Sequence, residues 1–130
     1  MGEDSGAITN AKFRIWLRPD GIVGMVFTPR VATDLADALA AIDAVTQLTG
    51  GRRSPLLVDM HGFGPPDRSA RLELARRGDV VSAVALIVDT PLSRMLGTFF
   101  LTVNKPPYPM RLFDNEASAV AWLLEFVGRQ

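Results

Sequence analysis

The side chains best placed to do chemistry in this chain gather just past two apolar runs. His61, the only histidine, follows Asp59 by two positions beyond Leu56-Leu57-Val58, and Asp89 ends the run from Val84 to Val88. An imidazole can serve as a general base, and carboxylates at strand ends can hold Mg²⁺. A base needs a nucleophile or substrate within reach, and the sequence identifies neither beside His61. Gly62-Phe63-Gly64 is a lone GxG, without the lysine of a phosphate loop or the rest of a dinucleotide fingerprint. Arg68, Arg71, Arg76 and Arg77 place positive charge on or just after a short helix, where a solvated face competes with a site for an acidic partner. No nucleophile, base and orienting group occur together, so the expectation is a protein that is not an enzyme, with no cofactor and no metal.

The elements that position these residues centre on Ser82–Phe113. Val84-Ala85-Leu86-Ile87-Val88 has no polar alternation, which marks a strand covered on both faces. Thr90 suits a helix cap and Pro91 the first helical position. Leu92, Met95, Leu96, Phe99, Phe100 and Val103 recur at helical spacing and predict one broad apolar face, with Gly97 inside it for close packing or for a ligand. Lys105 and Pro106-Pro107 stop this helix, and Met110 to Phe113 forms a strand.

Before this unit, Lys12–Arg18 and Ile22–Phe27 predict a hairpin about Pro19-Asp20-Gly21, with Trp16 on the wetter face. Thr33 is the predicted cap of a helix whose core stripe is Leu35, Leu39, Ile42, Val45 and Leu48, ending at Gly50-Gly51. Pro55–Met60 is a strand. Asp67 caps a short helix to Arg77, in which Glu73 and Arg77 stand four apart. A last helix runs from Asn115 to Gly128, with Ala117, Val120, Ala121, Leu124 and Val127 as its stripe. Residues 1–10 are expected to be a disordered lead-in and residues 11–130 one α/β domain with the order β-β-α-β-α-β-α-β-α.

Composition narrows the function. Fourteen basic and fourteen acidic side chains balance, which argues against a nucleic-acid partner and against electrostatic membrane binding. There is no cysteine, so no disulfide framework and no thiol nucleophile. The acidic start lacks the features of a signal peptide, and no apolar run reaches the ~20 residues of a membrane helix. A cytoplasmic location without stable membrane insertion is expected. Trp16, Trp122 and Phe126, large for one small domain to cover, predict self-association as a homodimer.

The element order and several strings resemble the STAS domain, the SpoIIAA-like fold of anti-sigma-factor antagonists. Pro91 to Phe113, PLSRMLGTFFLTVNKPPYPMRLF, followed by AVAWL, is similar to small bacterial STAS-like proteins of unassigned function. The resemblance implies a mixed sheet with four helices and a role in protein–protein interaction. Antagonists of this kind carry Asp-Ser-Ser-Gly-Leu at the helix start after the third strand, the first serine being phosphorylated. Here Asp67-Arg68-Ser69-Ala70-Arg71 stands in that place. Asp67 and Ser69 match, but Arg68 replaces the phosphorylated serine, so a kinase-gated charge switch is not implied.

Two functions follow. A regulatory module would meet a protein partner at the edge formed by His61, Asp67, Arg68, Ser69 and Arg71 with Thr90, Ser93 and Arg94 beside it. The alternative is a carrier or sensor of small apolar ligands, motivated by Met95, Gly97, Phe99 and Phe100 and by the fold shared with CRAL-TRIO lipid-exchange domains. A pocket between the 91–104 helix and the sheet would favour the carrier. A filled core with apolar surface on the last helix would favour the module.

Overall fold

A computed structural model describes residues 6–29, 32–61 and 66–128. Six strands form one mixed sheet in sequence order: β1 (Ile8–Thr9), β2 (Phe13–Leu17), β3 (Val23–Phe27), β4 (Ser54–Asp59), β5 (Val81–Ile87) and β6 (Met110–Phe113). β1 to β3 pair antiparallel, and β3 to β6 pair parallel. The three parallel connections carry α1 (Leu35–Thr49), α2 (Arg68–Ala75) and α3 (Pro91–Phe99). Crossovers of one hand put successive helices on one face of a sheet. Residues of α1, α2 and α3 accordingly share one core with Val23, Met25, Leu56, Val58, Val84 and Leu86. α4 (Glu116–Leu123) covers the other face, where Ala83 and Ala85 leave room for Ala119 and Leu123 to approach β5.

Strand alternation sorts bulk between the faces. On β5 the larger Val84 and Leu86 point toward α1–α3, and the alanines point toward α4. α3 comes close to the sheet at Gly97, where a Cβ would stand 3.0 Å from Leu112 and 3.1 Å from Val88. A π-helical turn, Phe100–Asn104, continues α3 and ends at Lys105, whose φ of 47° stops the helix just before Pro106. Trp16 packs flat on its cross-strand partner Gly24, where any side chain would enter the indole ring.

Several expectations need correction. The lead-in includes β1, which pairs Ile8 with Ile15; residues 1–5 lie outside the described residues, as do Gly62, Phe63 and Gly64. Asp34, not Thr33, caps α1, and Asp34 and Asp37 form a reciprocal capping box. Thr33 is buried and bridges to Pro66. The buried stripe of α1 is Ala38, Ala41, Ile42, Ala44 and Val45, whereas Leu35 and Leu39 are exposed. On α3 the buried positions are Ser93 and Gly97, while Leu92, Met95 and Phe99, and Val103 in the π-helical turn, are exposed. On α4 the inward residues are Ala119 and Leu123; Leu124, in the 3-10 turn that follows, and Val127 beyond it face out. Trp122 and Phe126 are half-buried and meet edge to face with ring centroids 5.0 Å apart, and Phe113 lies 5.7 Å from Trp122, so the chain itself covers much of their surface. Among the described residues no helix is long and apolar enough to cross a membrane.

Lys12 ties β2 to α1 through a 2.7 Å ion pair with Asp37. That hydrogen bond, followed by the one to the Asp34 backbone, holds the Asp37 carboxyl below its ordinary value of 3.8. A carboxylate with a depressed folded pKa stabilises the fold above its unfolded value and loses that contribution as pH falls through the folded one. Asp37→Ala is expected to destabilise the chain by about 1 kcal/mol at neutral pH, the usual effect of losing a capping interaction. Denaturant titrations should show the gap to the parent closing as pH falls below the ordinary carboxyl value and on through the lowered one, where the folded parent's carboxyl protonates. A gap that stayed constant into acid would exclude the ionised pair as its source.

Candidate functional site

The strand-end edge brings together part of the predicted set. His61 Nδ1 lies 3.2 Å from Asp89 Oδ1, and the His61 backbone N–H donates to Asp59 Oδ1 at 2.9 Å. The loops after β4 and β5 are therefore neighbours. Many of the groups there are already engaged. The Asp67 carboxylate accepts from the Ala70 N–H and caps α2. Thr90 and Ser93 exchange capping bonds at the start of α3, and Ser93 is buried. Arg94 donates to the Val88 carbonyl at 3.3 Å and pairs with Asp114. Arg68 and Ser69 are exposed on α2. Among the described residues no three His, Cys, Asp or Glu side chains gather to hold a metal.

Arg71 turns the other way, into a cavity of about 390 Å³ between the sheet and α1–α3. Its floor is sheet residues such as Val58, Val84 and Leu86; Ala41, Ile42 and Val45 of α1 form one wall. α2, α3 and the π-helical turn close the rest with Leu74, Leu96 and Phe100. The mouth lies along α3, because Met95 and Phe99 line the cavity and are 61% and 42% exposed. Four of the chain's five methionines, Met25, Met60, Met95 and Met110, are in the lining. Methionine is unbranched and polarizable, so such walls adapt to contents of different shape.

Polar groups in this lining are few. Tyr108 donates its hydroxyl to the Leu74 carbonyl at 3.0 Å, and burial pushes its phenol pKa up. Arg77 pairs with Asp79 at 2.9 Å and with Glu73 at 3.0 Å; the Asp79 hydrogen bond leads the causes that raise its pKa. Burial opposes ionisation of Glu73, but hydrogen bonds from Arg76 and Arg77 outweigh it and lower its pKa. Arg71 is different. Its Nε is buried without a hydrogen-bond partner, and its guanidinium lies 5.2 Å from the Phe99 ring centroid. A buried donor left unpaired costs about 1–3 kcal/mol, and more on a charged group.

Met95, Phe99 and Phe100, named from sequence for an apolar ligand, do line the cavity. Gly97 instead makes close helix–sheet packing. The Glu73–Arg77 pair expected from their spacing is present; sequence reasoning missed the walls from α1 and β4, the place of Tyr108 and Arg77 in the lining, and the inward turn of Arg71. The available signal was the alanine-rich inner face of α1, which leaves volume above the sheet.

A family described as "Domain of unknown function (DUF7793)" matches residues 15–127. Among solved structures, an uncharacterized protein of the DUF3478 family from Shewanella loihica PV-4, with a SpoIIAA-like fold, superposes with a TM-score of 0.65. It is 15% identical and covers 89% of this chain and 97% of its own, so the likeness is one of fold. A protein of unknown function from Arthrobacter sp. FB24 is 38% identical over 84% of this chain and 96% of its own, with a TM-score of 0.33. No curated protein matches.

Proposed function

We propose that this chain, which belongs to the DUF7793 family, holds a small apolar ligand between its sheet and α1–α3, as a carrier or sensor without a catalytic step. One observation carries the reading: the 390 Å³ cavity with its almost wholly apolar walls. Protein interiors pack as densely as organic crystals, and empty volume in a core is destabilising in proportion to its size. A void of this size lies within the ordinary range of ligand pockets, about 300–1,000 Å³. Apolar walls give water few partners. A ligand entering them removes apolar surface from water, worth about 25 cal/mol per Å². The exposed Met95 and Phe99 give such a ligand an apolar path in.

Titration with N-phenylnaphthylamine, a neutral probe that fluoresces in apolar surroundings, tests this. The expected result is saturable enhancement at one probe per chain, reversed by decanol. A signal that neither saturates nor yields to decanol overturns the reading.

A regulatory docking role is the second reading. It is favoured by Arg68 and Ser69, exposed together at the start of α2. The cavity gives the ligand reading the stronger support, because engaged caps and ion pairs occupy much of the docking edge.

A further inference from the structure

We infer that the cavity's ligand is a carboxylic acid with an apolar tail, its carboxylate held by Arg71; this rests on the cavity being a ligand site. Arg71 and Arg77 are the charged residues in the lining. Arg77 is neutralised by Glu73 and Asp79 within the chain. Arg71 has no carboxylate partner among the described residues, and its Nε–H is buried and unpaired. A guanidinium does not deprotonate in proteins, so its charge has to be met where it sits. Nε–H and a neighbouring Nη–H form a planar fork that fits the two oxygens of a carboxylate. The guanidinium carbon sits over the Phe99 ring, 5.2 Å from its centroid, a contact that attracts the charge but gives it no hydrogen-bond acceptor.

The number of charges selects the head group. One unpaired guanidinium balances one negative charge. A phosphate dianion would bring a second charge against walls such as Leu74, Leu96 and Phe100, which offer it nothing. The tail then lies along Val58, Val84 and Leu86, with the methionines taking up differences in length or shape.

The test compares decanoate with decanol, which share a tail and differ in charge, as competitors of N-phenylnaphthylamine near neutral pH. The parent is expected to bind decanoate about tenfold or more tightly than decanol, the effect of one charge-assisted hydrogen bond. That preference should vanish as pH falls below the carboxyl's own pKa. Arg71→Gln should abolish the preference, read as the ratio of decanoate to decanol affinity within the variant, and Arg71→Lys, which keeps the charge without the fork, should restore only part of it. Equal affinity for the two ligands in the parent, or an undiminished preference in Arg71→Gln, overturns the carboxylate assignment and leaves the apolar site standing. Failure of probe, decanol and decanoate alike to bind the parent removes both. The parent comparison decides the matter even if the Arg71 variants do not fold.

Discussion

Ala41→Phe is expected to weaken binding of the neutral probe by about tenfold or more while the chain stays folded. Ala41 is buried on α1 and lines the cavity, opposite sheet residues that include Val58 and Val84. In a filled core an added ring forces side chains off their rotamers and costs about 1–3 kcal/mol. Here it has a 390 Å³ space to enter, so it gains contacts with the floor instead of displacing it. The melting temperature should hold or rise, and the probe should lose the volume the ring takes. Val84→Phe fills the same space from the sheet side and is expected to act alike. Parent-level binding in two folded variants would place the ligand outside this cavity.

The cavity also shows where sequence reasoning stops. The strands were legible because burial on both faces leaves unbroken runs, as in Val84 to Val88, and because the turn at Pro19-Asp20-Gly21 names itself chemically. Caps were legible at Asp67 and Thr90 for a similar reason: a short polar side chain before a helix has one dominant use. Helix faces were less so. α3 carries enough apolar residues to present a stripe in more than one direction, and spacing alone selects the bulkiest one, with Leu92, Met95 and Phe99. The structure turns Ser93 and Gly97 inward, because the small residues permit close approach to Leu112 and Val88. The same rule hid the inner face of α1, where three alanines carry burial that the leucines were expected to supply. Volume between elements belongs to no single element, so neither a cavity nor the inward turn of Arg71 leaves a periodic trace.

The last helix allows a sharp test of which face is buried. Leu123→Ala is expected to destabilise the chain by about 2–5 kcal/mol, the range for deleting a buried leucine whose surroundings relax only partly. Leu123 is 0% exposed and packs with Ile22, Leu57, Ile87 and the alanines of β5, so truncation leaves a hole that no neighbour can reach across. Domains typically have about 5–15 kcal/mol of stability in all, so this one side chain would carry a large share. The adjacent Leu124 is 47% exposed, and Leu124→Ala should stay within about 0.5 kcal/mol of the parent. The two changes are chemically identical and neighbouring in sequence, so the unfolded chain contributes almost equally to both. The difference isolates burial. Urea titrations should show the midpoint of Leu123→Ala falling by on the order of 1–2 M with little change in slope, while Leu124→Ala overlays the parent. A larger loss at Leu124 would rotate α4 to the face with Ala117, Ala121 and Val127 inward, and the packing of Trp122 against Phe113 would have to be abandoned with it.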